Sequence, residues 1–92
     1  MHTIKLIKNG VKIGQQEYHI GDVLTAKDEN GEIQYKGRIA FEMYFGDGLQ
    51  ARFHLGFVVE NSEDPYTKYT LLDLLETGWK IDLNRSEDKN YE

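Results

Sequence analysis

The fold is decided by residues 33–59, which read IQYKGRIAFEMYFGDGLQARFHLGFVV. Apolar and polar residues alternate on both sides of the central GDG, and most of the large apolar side chains fall at odd positions. A period of two is typical of strands that have one buried face and one wet face. Gly46-Asp47-Gly48 supplies a three-residue turn with glycine available for positive φ, so the stretch predicts one long hairpin.

The three-residue turn predicts a register for this hairpin. The paired residues are Phe45 with Leu49, Phe41 with Phe53 and Ile39 with Leu55 on the core face, and Glu42 with Arg52 and Ala40 with His54 on the outer face. Apolar residues then meet apolar residues, and a pair of opposite charges forms across the strands. Gly37 and Gly56 fall nearly opposite each other, which predicts a strong bend in the hairpin.

Working outward, shorter strands are predicted at residues 4–7, at 11–13 with an extension through Tyr18 and Ile20, and at 23–26. A short helix is predicted near residues 70–77, because Thr70 and Asp73 resemble a capping box and Gly78 is a natural residue after a helix end. Residues 79–83 form a closing strand. The predicted fold class is mainly β: a small bent antiparallel SH3-like barrel of five or six strands with one short α-helix.

Length and composition predict one domain, residues 1–85, followed by a polar C-terminal tail, residues 86–92. The 92 residues include no cysteine, which excludes disulfides, thiolate zinc sites and thiol catalysis. Neither a signal-peptide pattern nor a run of membrane-spanning length is present, so the expected location is the cytoplasm, without membrane contact.

Several stretches resemble the YopX-type proteins of phages and prophages. The resemblance covers roughly residues 20–85 and lies in Gly21-Asp22-Val23-Leu24, Asp28-Glu29-Asn30-Gly31-Glu32, Gly37-Arg38-Ile39, Tyr69-Thr70-Leu71-Leu72-Asp73-Leu74-Leu75 and Gly78-Trp79-Lys80-Ile81. It implies a setting, an accessory protein in the cytoplasm of a host bacterium, and it implies no enzymatic activity. No functional residue is carried over from that family.

The residues themselves predict no catalytic site, no metal site and no cofactor. The three histidines, His2, His19 and His54, are scattered, and one histidine near one glutamate offers too few ligands for zinc. No nucleophile stands at a recognisable spacing from a base, and no phosphate-binding glycine motif is present. The sequence therefore favours a binding protein over an enzyme.

The first candidate binding surface is acidic. The net charge is −5, and residues 41–92 hold eleven Asp and Glu against five Lys and Arg. Such a surface predicts that the partner is a host protein. The specific form of this prediction is that the acidic surface binds the basic groove of a defence or nucleic-acid-handling enzyme and inhibits that enzyme. The residues predicted to form it are Glu60, Glu63, Asp64, Asp73, Glu76, Tyr66 and Tyr69.

The alternative is nucleic-acid binding through the outer face of the 33–59 hairpin. Cationic groups interleaved with an aromatic ring are suited to a phosphate backbone, and the residues are Lys36, Arg38, Arg52, His54 and Tyr44. The net charge disfavours this alternative. An exposed edge of the bent sheet also leaves a homodimer open.

Overall fold

A computed structural model describes residues 3–46, 51–64 and 66–84 of the chain. Eight strands and one short helix follow one another: β1 (Ile4–Ile7), β2 (Gly10–Ile13), β3 (Gln16–His19), β4 (Val23–Lys27), β5 (Ile33–Phe45), β6 (Phe53–Asn61), β7 (Lys68–Thr70), α1 (Leu71–Leu75) and β8 (Lys80–Asn84). The predicted class, mainly β with one short helix, is confirmed.

The strands form two antiparallel sheets and not a closed barrel. One sheet has the order β1-β2-β3, and the other has the order β7-β6-β5-β4-β8. The chain passes from the first sheet to the second through His19–Asp22, where Gly21 N–H donates to the Ile39 carbonyl and Ile39 N–H donates to the Asp22 carbonyl. The prediction of five or six strands is too low, because the 11–20 segment turns at Gly14 into a separate strand β3 and because β7 precedes the helix.

The core lies between the sheets and is closed by the helix. Its buried side chains come from both sheets and from α1: Val11, Ile13, Tyr18, Leu24, Ala26, Tyr35, Ile39, Val59, Leu71 and Leu74. The Tyr35 hydroxyl donates to the Val59 carbonyl at 2.5 Å and to the Thr67 carbonyl at 3.3 Å. Burial raises the pKa of Tyr35 to about 12, so this group holds its proton and its hydrogen bonds across the neutral range.

The predicted helix is present and shorter than expected. Thr70 is its N-cap and accepts a hydrogen bond from Asp73 N–H at 3.1 Å, as the capping pattern predicts. Gly78 adopts a φ of 92°, the left-handed conformation that suits glycine beyond a helix end. Leu71 and Leu74 are buried, whereas Leu72 on the opposite side is partly exposed.

The predicted register of the long hairpin is wrong by four residues. The observed pairs include Phe45 with Phe53, Tyr44 with His54, Met43 with Leu55, Glu42 with Gly56, Phe41 with Phe57, Ala40 with Val58, Ile39 with Val59 and Gly37 with Asn61. Gly46 N–H donates to the Arg52 carbonyl, so the connection is longer than a three-residue turn. Asp47, Gly48 and Leu49 lie outside the described residues, as do residues 85–92, which include the predicted tail.

The physical reason is that a shift by four leaves every side chain on its face. Alternation therefore cannot distinguish the two registers. The observed register brings aromatic rings together edge-on, Phe41 with Phe57 at 4.8 Å between centroids and Phe45 with Phe53 at 5.1 Å. The predicted register holds one such ring pair on this face, Phe41 with Phe53, whereas the observed register holds two, and each pair stabilises the sheet. Gly37 and Gly56 are consequently not opposite each other.

Candidate functional site

Strands β5 and β6 extend beyond the strands that flank them. β4 pairs with β5 only between Ile33 and Arg38, and β7 pairs with β6 only between Val58 and Glu60. Residues 41–45 and 53–57 thus form a two-stranded ribbon, called the arm below. A free two-stranded hairpin is marginally stable in water, so the arm depends on contacts between its own side chains.

One face of the arm is apolar and open to solvent. It continues the buried positions Ile39 and Val59 outward, but its own residues are uncovered: Phe41 is 46% exposed, Met43 61%, Phe45 57%, Phe53 69% and Leu55 63%. These five residues are called the apolar face. Scattered exposed apolar residues are normal on a protein surface, whereas a contiguous stripe of large ones marks an interaction site.

The opposite face of the arm is aromatic near its tip. The Tyr44 and His54 rings stack at 5.5 Å between centroids. The Tyr44 ring also covers Gly56, since a Cβ placed on Gly56 would lie 3.5 Å from its Cε1 atom. Glycine has no side chain to pack on the sheet, and an aromatic ring that lies over a strand glycine fills this space. The arm is therefore built from aromatic contacts on both of its faces.

Nearer the centre of the sheet, this opposite face carries a cluster of three charged groups. Lys68 Nζ lies 2.8 Å from Glu42 Oε2, and the Glu60 carboxyl interacts with both of these groups. The hydrogen bond from Lys68 lowers the pKa of Glu42, and the hydrogen bond with Glu42 raises the pKa of Glu60. The same contact with Glu42 raises the pKa of Lys68. Glu60 is thus the carboxyl that takes up a proton first as the pH falls.

Replacing Glu60 by glutamine is expected to raise the free energy of unfolding by roughly 0.5 kcal/mol at pH 7, a small value because solvent screens the charges. Below about pH 4 the substitution should leave the free energy of unfolding unchanged. A raised pKa means that the folded state favours the protonated carboxyl, so ionised Glu60 destabilises the fold once the pH passes that pKa. Glutamine keeps a neutral donor toward Glu42 at every pH. Urea unfolding at the two pH values measures the difference.

The control for this change is Glu63→Gln, which neutralises an exposed carboxylate in the loop after β6. Its stability should match that of the unsubstituted protein at both pH values. An equal gain for Glu60→Gln in acid and at neutrality would show that the charge of Glu60 does not oppose folding.

The residues predicted for nucleic-acid binding are divided by this cluster. Lys36 and Arg38 lie at one end of β5, where Arg38 Nη1 donates to the Gly21 carbonyl at 2.7 Å. Arg52, His54 and Tyr44 lie at the far end of the hairpin, and six residues from position 38 to position 44 span roughly 20 Å of strand. Glu60 pairs directly with Arg38, and Glu42 lies between Arg38 and Tyr44, so carboxyl groups interrupt the row of cationic side chains and the set does not form one cationic groove.

The predicted acidic surface is also divided. Glu63, Asp64 and Tyr66 are exposed in the loop after β6, and Asp73 and Glu76 are exposed on and just after α1. The other two predicted residues have internal partners. Glu60 belongs to the charged cluster, and the Tyr69 ring packs edge-on against Tyr35 at 4.8 Å and against Trp79 at 6.5 Å.

The loop after β6 nevertheless lies close to the arm. Asp64 accepts hydrogen bonds from Tyr66 N–H at 3.1 Å and from the Thr67 hydroxyl at 2.7 Å, which fixes the turn. Tyr66 then borders a hollow of about 390 Å³ that is lined by both faces of the arm, with Met43, Phe45 and Phe53 from the apolar face and Tyr44 and Lys68 from the opposite face. The structure therefore brings part of the predicted acidic surface next to an apolar surface that the sequence reasoning had assigned to the core.

The signal for the arm was present in the strand lengths. Strand β5 has 13 residues and β4 has five, so the shorter neighbour cannot cover the longer strand. Within the described ranges, the side chains include no group of three or more metal-ligating residues. Of the helices in the same ranges, none is long and apolar enough to cross a membrane.

Comparisons with protein-family models, with curated proteins and with solved structures give no match. The resemblance to YopX-type proteins accordingly stays a prediction from the residues quoted for it.

Proposed function

We propose that this chain is a non-catalytic protein-binding module whose contact surface is the apolar face of the arm. The observation that supports the proposal is the exposure of that face: five large apolar side chains, all about half exposed or more, on one side of a ribbon. Interfaces are enriched in Phe and Met and are depleted of charge at their centre, as this face is. Uncovered, the same stripe would promote aggregation.

The surroundings of the apolar face specify the chemistry of the partner. Glu63 and Asp64 are exposed in the loop whose Tyr66 borders the hollow beside Met43 and Phe53. A partner segment with an apolar stripe and a flanking cationic side chain would meet both surfaces. The narrower predictions, a phage or prophage origin and inhibition of a defence enzyme, rest on the sequence resemblance and stay predictions.

Site-specific photo-crosslinking tests the proposal. A photoreactive amino acid placed at Leu55 should form protein adducts in cells that express the chain, because Leu55 lies at the centre of the apolar face. The same amino acid at Ile33 is the matched control, since Ile33 is similarly exposed, at 57%, but lies at the other end of β5. The masses of the adducts show whether the partner is a second copy or a different protein.

Adducts at Leu55 and few at Ile33 would support the proposal. Equal yields at both positions, or none at Leu55 under conditions where the chain is folded, would overturn it.

A further inference from the structure

We propose that the partner of the apolar face is a second copy of this chain. The two copies form a symmetric dimer in which the apolar faces pack against each other and the tips of the two arms point in opposite directions. This inference rests on the proposed function, because it names the occupant of the same surface. It differs from pairing between sheet edges, which would extend the sheet but leave the apolar face uncovered.

The area of the apolar face is the first argument. With about half or more of each of its five residues exposed, the face leaves roughly 600 Å² of apolar surface uncovered on each copy. Specific interfaces bury about 800 Å² on each partner, and the smallest stable ones about 600 Å². Two such faces in contact, with their polar margins, therefore reach the area that a stable dimer needs.

The chemistry of the face is the second argument. No charged residue lies within it, so it has no group that would be left unpaired by contact with an identical face. Aromatic side chains stand at both of its ends, Phe41 near the core and Phe45 with Phe53 near the tip. When the arms point in opposite directions, the tip of one copy lies over the base of the other, and aromatic rings of the two copies meet at both ends in an arrangement that closed two-fold symmetry permits.

The test is the mass of the purified chain in solution, measured by light scattering after gel filtration or by sedimentation. At about 50 μM, a concentration at which a low-micromolar dimer is nearly saturated, the expected mass is twice the 10.7 kDa of the chain. Leu55→Glu and, separately, Met43→Glu should weaken the dimer at least tenfold by placing a carboxylate at the centre of the contact. Ile33→Glu, the matched control outside the arm, should leave the dimer intact.

Each outcome is decisive, provided that circular dichroism shows each variant to be folded. A monomer at every concentration would overturn the inference while leaving the proposed function open to a different protein, which the crosslinks at Leu55 would reveal. A dimer that survives both Leu55→Glu and Met43→Glu would also overturn it, because the contact would then lie elsewhere. A dimer lost in both variants and kept in Ile33→Glu would support it.

Discussion

Gly37→Ala is expected to lower the free energy of unfolding by about 3 kcal/mol. Gly37 lies in the middle of β5, and the backbone of the neighbouring strand β6 approaches it closely. A Cβ added to Gly37 would overlap the Glu60 carbonyl and would lie 2.8 Å from a methyl group of Val59. Backbone atoms of a central strand pair cannot move aside without breaking their own hydrogen bonds. Urea unfolding followed by circular dichroism measures the change, and the midpoint should fall without a change in slope.

The matched control is Gly56→Ala, which adds the same methyl group to the partner strand. The nearest atom to its Cβ would be Cε1 of Tyr44 at 3.5 Å, an ordinary contact. We therefore expect Gly56→Ala to stay within about 1 kcal/mol of the unsubstituted protein. Similar urea midpoints for the two variants would show that the β6 backbone does not approach Gly37 closely.

Leu74→Ala is expected to lower the free energy of unfolding by about 3 kcal/mol. Leu74 is 0% exposed and joins Leu71 in packing the helix against the core, so its loss removes apolar contacts and leaves a cavity. A small domain is only marginally stable, so a decrease of this size would bring the folded state close to its limit. Thermal and urea unfolding both report it.

The control is Leu72→Ala on the other side of the same helix turn. Leu72 is 38% exposed, and the change in helix propensity is identical in the two variants. A loss below about 1 kcal/mol is expected for Leu72→Ala, since partial exposure leaves little transfer free energy to lose. Equal losses would mean that α1 presents a different side to the core.

The class of the fold could be predicted from the sequence pattern, whereas the register in which the strands pair could not. Alternation assigns each residue of 33–59 to a face, and the Thr70 cap with Gly78 limits the helix to one or two turns. Register depends on which rings meet across the strands and on how the connection after Gly46 closes, and a shift by four changes neither face. The 11–13 strand does not extend through Tyr18 as predicted, because Gly14 adopts a φ of 63° and turns the chain back into β3.

The candidate site could likewise be predicted only in part from the sequence. Charge could be counted along the chain, but the count does not show that Glu60 pairs with Arg38 or that Glu42 lies between Arg38 and Tyr44. The apolar side chains of the arm could be assigned to one face, but alternation alone does not say whether that face is covered. Coverage depends on which elements pack over that face, and this is a property of the tertiary structure.

The pairing of β8 with β4 has a consequence for synthesis of the chain. Val23 pairs with Asn84, which lies 61 residues further along the chain, whereas β1, β2 and β3 pair with immediate neighbours in sequence. Local hairpins close early, and distant pairs carry a larger entropy of loop closure. On the ribosome, β4 therefore keeps one edge unpaired until residues 80–84 have left the exit tunnel, and this interval is when a nascent chain is most open to misassembly.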